Sequence, residues 1–185
     1  MSGDANIISL HQAFFEFWCN HRCELGRVSE KNVSLRALKT VLPNIIKLKK
    51  TSDGPRYSVL GSNVLEEYDQ NFTGILVSDQ PHEICKKADL ALIKRIEKKP
   101  SFTVSFGFFC YPNKNYLRVM DSGFAFTADD GSISGYLVVF TVDRDNYLEK
   151  LYSPINPHRI ESGKADVANQ NDFDQAVEQY KNLTL

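Results

Sequence analysis

The chain has 185 residues, enough for one domain with a core that needs no disulfide or metal staple. Apolar residues make up 42% and charged residues 24%, which excludes a wholly disordered chain. With 22 basic against 23 acidic groups, no global charge favours nucleic acid or an acidic membrane, so neither is an expected partner.

The opening residues show no basic, apolar signal segment, and no run of about 18 apolar residues is long enough for a membrane span. Cys19, Cys23, Cys85 and Cys110 have no zinc-type spacing, so we expect reduced thiols, a cytoplasmic chain and no metal site.

Ile7, Leu10, Phe14, Phe17, His21 and Leu25 recur at spacings of three and four. They predict a helix from about Ser9, its N-cap, to Leu25, stopped by Gly26. Phe15 and Trp18 flank this face, and so aromatic a helix must dock on something. A short helix is expected over 35–42, closed by Pro43, and then a strand over 44–50. The Ser52-Asp53-Gly54-Pro55 turn leads to a return strand, Arg56 to Leu60. Gly61-Ser62-Asn63 breaks that strand and caps a short helix, Val64 to Tyr68. Pro81 opens a longer helix to about Lys98, with Ile84, Ala88, Leu92 and Ile96 inward.

The pattern then switches to period two, with strands at Phe102 to Tyr111, Tyr116 to Thr127 and Ile133 to Val142. Their turns are Pro112-Asn113-Lys114-Asn115 and Asp129-Asp130-Gly131. Val104, Phe106 and Phe108 oppose Phe109 and Tyr111; Leu137 and Val139 oppose Tyr136, Val138 and Phe140. An antiparallel sheet with one wet face alternates apolar and polar residues, and this one does not. Both faces must therefore be covered, one by the inserted helices and the other by the N-terminal helix, from this chain or a partner. Beyond Val142 a helical turn is expected from Asn146 to Tyr152, a polar arm from Ser153 to Asn171, and a last helix capped by Asp172. Phe173, Val177, Tyr180 and Leu183 line one face of that helix.

Arg56-Tyr57-Ser58-Val59-Leu60-Gly61-Ser62, followed by Asp69, Phe72, Thr73 and Gly74, resembles the bacterial single-domain PAS-like family. Phe17-Trp18, Leu42-Pro43 and Asp130-Gly131 fit the same pattern, so the resemblance covers roughly Phe14 to Val142. Ser58 stands where a second basic residue is common, and the tail after Val142 is longer. The resemblance implies an α+β fold: a five-stranded antiparallel sheet with inserted helices on one face and an amphipathic helix on the other. It divides the chain into an N-terminal helix and connector (1–33), a PAS-like domain (34–152), and an arm with a C-terminal helix (153–185). It also implies a cytoplasmic signalling protein with no attached kinase or cyclase.

The motif residues Arg56, Gly61, Thr73 and Gly74 read as shaping a strand end, a turn and a cap, with Arg56 pairing Glu66 or Asp69. A small apolar or amphipathic ligand would sit between the long helix (Leu92, Ile96) and the sheet, with Tyr57, Ser105 and Arg118 giving polar specificity. A one-residue slip would reverse which strand face lines that pocket. Phe14, Phe17 and Trp18 would form an interaction helix, giving a homodimer or a contact with a signalling protein. The alternatives are a ligand-free interaction module whose aromatic residues fill the cavity and an enzyme on a related cone-shaped sheet.

No haem is expected, because His82 sits in the first turn of the long helix, where exposed polar residues are usual. No photoactive flavin is expected either, because Asn71-Phe72-Thr73-Gly74 has no reactive cysteine. Asp129-Asp130 reads as turn chemistry, and no catalytic pairing or phosphate loop is marked, so the chain is not expected to be an enzyme. Lys86, Lys87, Lys94, Arg95, Lys98 and Lys99 form a basic side of the long helix. This is either a solvated face or a patch for an anion, such as a nucleotide, or for a partner.

Overall fold

The computed structural model describes residues 3–34, 36–99, 101–110, 116–148 and 159–183. Among these residues, four α-helices and a seven-stranded sheet form an α+β fold. The first helix, α1 (Gly3–His21), ends in a turn at Gly26, which takes a positive φ, and the chain returns as a two-residue strand, β1 (Val28–Ser29). Then come β2 (Ile45–Thr51), β3 (Gly54–Leu60), α2 (Ser62–Tyr68) and α3 (Glu83–Lys98). Next are β4 (Phe102–Cys110), β5 (Tyr116–Thr127), β6 (Ile133–Leu148), β7 (Arg159–Val167) and α4 (Gln170–Lys181).

The strand order is β3-β2-β6-β5-β4-β7, antiparallel throughout. Strand β1 adds a short parallel pairing at the far end of β5, through Val28 and Phe126. Both faces of the central strands are buried, as their unbroken apolar pattern requires. On one face Phe102, Val104, Phe106, Met120, Phe124, Leu137 and Val139 meet α1 and α4. On the other, Val119, Ala125, Tyr136, Val138 and Phe140 meet α2, α3 and the segment between them. The helix expected to cover the second face is thus supplied by this chain, with α4 beside it.

Phe102 is the hub of the α1 face. Its ring centroid lies 5.3 Å from Phe15, 5.5 Å from Phe14 and 5.7 Å from Trp18. Phe15 in turn stacks on Phe173 of α4 at 4.9 Å. Aromatic pairs at such separations add to stability beyond the area they bury. The Trp18 indole N–H donates to Gly26 O at 3.0 Å, and Arg22 lies over the same ring while donating to Ala168 O at 2.8 Å. These contacts tie the end of α1 to the start of α4.

Several elements depart from the sequence reading. Helix α1 begins before Ser9, whose hydroxyl bonds back to Asn6 O instead of capping. Its buried face is rotated toward Phe15 and Trp18, while Leu25 lies beyond the helix, 70% exposed. Within the segment expected to be a helix over 35–42, residues 36–41 form turns, followed by a 3-10 turn, Leu42–Asn44. The sheet has seven strands where five were expected, because β1 pairs with β5 and β7 lies in the stretch read as a polar arm. Asn146 to Leu148 continue β6 in place of a helical turn. The rest of the expected helical turn, the start of the arm and the Pro112–Asn115 turn lie outside the described residues. The N-cap of α4 is Asn169 and not Asp172: the Asn169 side chain accepts from Asp172 N, and Asp172 accepts from Ala168 N.

The family-like motif has a structural account. A Cβ on Gly61 would sit inside the van der Waals shells of the Leu42 and Pro43 carbonyls, so the Leu-Pro pair and this glycine are two sides of one contact. Gly74 takes a φ of 89°, and its N–H donates to Tyr57 O at 2.8 Å. Arg56 donates to Gly74 O at 2.5 Å, not to Glu66 or Asp69 as expected. Thr73 N–H donates to the Asn71 side chain at 2.9 Å. Among the described residues, no helix is long and apolar enough to cross a membrane.

The aromatic hub generates a stability prediction. Phe15→Ala should lower the unfolding free energy by about 3–5 kcal/mol, read from the urea midpoint. A midpoint unchanged from the parent chain would show that α1 is not needed to cover this face.

Candidate functional site

Alternation along β4, β5 and β7 sends two polar rows to the α3 face. Backbone register aligns Asp121, Ser105 and Lys164 in one row, and Gly123, Thr103 and Asp166 in the next. Helix α3 crosses above them. Its inward residues Cys85, Leu92, Ile93 and Ile96 pack on the sheet, while Ala88 and Ala91 are too small to close the gap toward β7. The result is a cleft of about 640 Å³ lined by Ala88, Ala91, Leu92, Ser105 and five cations: Lys94, Arg95, Lys98, Lys99 and Lys164. Among the described residues of its lining, Asp166 is the one carboxylate.

The cleft has an apolar end at Ala88 and Leu92 and a cationic end where α3 finishes. At that end Arg95 Nε donates to Asp166 Oδ1 at 2.9 Å, and Lys99 Nζ lies 3.8 Å from Asp166 Oδ2. Arg95 Nη1 is enclosed without a hydrogen-bond partner, and so is Thr103 Oγ1 beside Asp166 on the sheet. A buried donor or acceptor left unpaired is costly. On the floor, Ser105 Oγ donates to Asp121 Oδ2 at 3.2 Å, and both residues are buried.

A second polar group lies deeper on the same face. The Tyr57 hydroxyl donates to Asp89 of α3 and accepts from Gln80 Nε2 at 2.7 Å. Burial, then the Asp89 charge and hydrogen bond, hold this phenol well above its ordinary value, so it remains a donor. Gln80 Oε1 has no hydrogen-bond partner. Tyr57, Phe72, Tyr68 and Phe140 fill the surrounding space ring against ring. This knot pins β3 and the 77–80 turn to α3 and does not open into the cleft. Near the hairpin end, Glu97 accepts from Lys50 and from the Tyr136 hydroxyl; these bonds hold its carboxyl below the usual range.

Two buried polar groups lie on the opposite face. His11 of α1 reaches Ser122 Oγ through Nδ1 at 2.7 Å and Thr141 Oγ1 through Nε2 at 2.9 Å. The Thr141 hydroxyl is itself spent on Met120 O at 3.2 Å. Nε2 therefore carries the hydrogen, and Nδ1 accepts from Ser122. Arg118 Nη2 pairs with Asp143 Oδ2 at 2.6 Å, both buried, and the guanidinium lies over the Tyr180 ring. Arg118 also donates to Tyr180 O at 3.4 Å, which anchors the end of α4.

Of the residues expected around a ligand, Leu92 and Ser105 line the cleft together. Ile96 is buried in the core, Tyr57 belongs to the neighbouring knot, and Arg118 is on the other face because its parity on β5 is that of Met120, not Asp121. Phe14, Phe17 and Trp18 are buried within the chain, so a partner at α1 would meet its polar outer side. His82 is the N-cap of α3 with its ring edge-on to Phe72. Asp130 accepts from Ser132 N and Oγ within the turn, and Asp129 pairs with Lys31 at 2.8 Å. Among the described residues, no cluster of His, Cys, Asp and Glu is placed to hold a metal ion. The sequence reading missed Lys164 and Asp166, although Lys164-Ala165-Asp166-Val167 alternates as a strand does. No family model, curated protein or solved structure matches the chain.

The enclosed histidine carries a pH prediction. Burial lowers His11 from its ordinary 6.5 to about 3. The unfolded chain therefore binds a proton across that range which the folded chain refuses. The stability due to a neutral His11 is complete above pH 6.5 and is lost as pH falls toward 3, at about 1.4 kcal/mol per unit. Urea denaturation at pH 7 and pH 5 should show a steeper loss for the parent chain than for His11→Gln. Equal losses would remove His11 as the cause.

Proposed function

We propose that the chain is a PAS-like sensory domain that binds a small anionic ligand in the α3 cleft and does no chemistry on it. The observation that carries this reading is the cleft itself: three cations on α3 and Lys99 at its C-cap face a fifth, Lys164, on β7 across about 640 Å³. That volume falls in the range of small-molecule sites.

The order of elements supports the PAS-like part. Two strands, then helices, then three long antiparallel strands is the order the motif resemblance implies, here extended by β1, β7 and α4. Among the described residues lining the cleft there is no histidine or cysteine, and the Ser105 hydroxyl is engaged with Asp121. That lining suits recognition better than nucleophilic or general-base chemistry.

The output of such a domain would pass through β7 and α4. Asp166 lies on β7, α4 follows directly, and α4 is stacked on α1 through Phe15 and Phe173. A ligand acts on this unit only through different affinity for two of its arrangements, read as altered dimerisation or partner contact. The second reading, a ligand-free interaction module, draws on the rings of Tyr57, Tyr68, Phe72 and Phe140, which fill the inner part of the helix–sheet space.

Native and denaturing mass spectrometry of the purified chain separates the two readings. The sensory reading predicts a retained small molecule that a Lys98→Glu, Lys164→Glu double variant loses. A parent chain with no added mass and a stable dimer supports the module instead.

A further inference from the structure

We infer that the ligand of this cleft, resting on the sensory reading above, is a phosphorylated small molecule whose uncharged body carries hydrogen-bond donors. Five cations against Asp166 in the lining and Asp121 beneath the floor leave a surplus of positive charge too large for a single carboxylate to balance. A group with two or more negative charges suits it. The basic residues at the end of α3 also complement the helix dipole, but that role does not account for Lys164, which comes from a strand on the opposite wall.

Arg95 is the group that favours phosphate. Its guanidinium meets Asp166 through Nε, while Nη1 is enclosed with no hydrogen-bond partner. A planar fork with donors to spare matches phosphate oxygens two at a time. Asp166 then acts as the resident counterion, exchanged when the ligand arrives. At the other end, Ala88 and Leu92 offer an apolar wall above Ser105, whose hydroxyl oxygen, its hydrogen turned to Asp121, accepts a hydrogen bond from a body bearing hydroxyl or amino groups. A nucleoside monophosphate and a sugar phosphate share this chemistry.

Calorimetric titration of the full chain at low salt tests the inference with sodium pyrophosphate, AMP, glucose 6-phosphate, adenosine and citrate. Pyrophosphate should bind, and AMP or glucose 6-phosphate should bind tighter, whichever does so identifying the body. Adenosine should not bind measurably, and citrate should bind at least about tenfold more weakly than pyrophosphate. Arg95→Lys keeps the charge and removes the fork. It should weaken pyrophosphate by about tenfold without changing the thermal midpoint, whereas Asp166→Asn should tighten it.

Citrate binding as tightly as pyrophosphate, and lost in the Lys98→Glu, Lys164→Glu variant, would overturn the phosphate inference and leave the sensory reading standing. No binding of any anion by the parent chain would overturn both. A single-stranded oligonucleotide binding more tightly than AMP and glucose 6-phosphate would overturn the small-molecule class in favour of nucleic acid.

Discussion

The structure depends on a sheet whose central strands are apolar on both faces. Burial stabilises by about 25 cal/mol for each Å² of apolar surface removed from water, so neither face can be left bare. The chain resolves this with its first and last helices on one face and its two inserted helices on the other. Helices α1 and α4 close one face around Phe102, and α2 and α3 close the other around Tyr136 and Phe140. The Phe15–Phe173 stack and the Arg22 bond to Ala168 O join the two terminal helices into one cover. Among the described residues, Leu25 is the one large apolar side chain left exposed, so little apolar surface is offered to a partner.

The cleft follows from the same packing. Helix α3 needs Leu92, Ile93 and Ile96 on the sheet, which leaves its small residues Ala88 and Ala91 facing the added edge strand β7. Without β7 the cleft would have no second wall, and Lys164 and Asp166 would not face α3. The polar groups under the sheet surface divide by role. His11 and the Arg118–Asp143 pair are satisfied within the protein and position helices. Arg95 Nη1 and Thr103 Oγ1, beside the cleft, have no hydrogen-bond partner. Arg27 Nε and Gln80 Oε1, away from the cleft, also have no partner, so the proposed recognition site rests on the cation-lined cleft and not on unpaired atoms alone.

The strong periodicities were legible in the sequence. Strands β2 to β6, α2 and α3 lie close to where alternation and turn residues put them, and the need to cover both sheet faces came from Phe102 to Phe140 alone. Parity was not legible: without register, Arg118 reads as well as Ser105 for the ligand face, and only the β4–β5 pairing separates them. Strand β7 was masked by its polar composition, because an edge strand buries less than a central one and shows a weaker pattern. The helical face of α1 was misplaced by counting His21 and Leu25 as inward and Trp18 as flanking; the indole is buried because its N–H has Gly26 O to bond.

The account places ligand recognition between α3 and β7, away from the aromatic cover of the other face. Hydrogen–deuterium exchange of the full chain with and without pyrophosphate reads this location directly. The account predicts slowed exchange confined to the C-terminal half of α3 and to the β4 and β7 amides around Ser105 and Lys164. Protection centred on α1 or α4, with α3 and β7 unchanged, would contradict it.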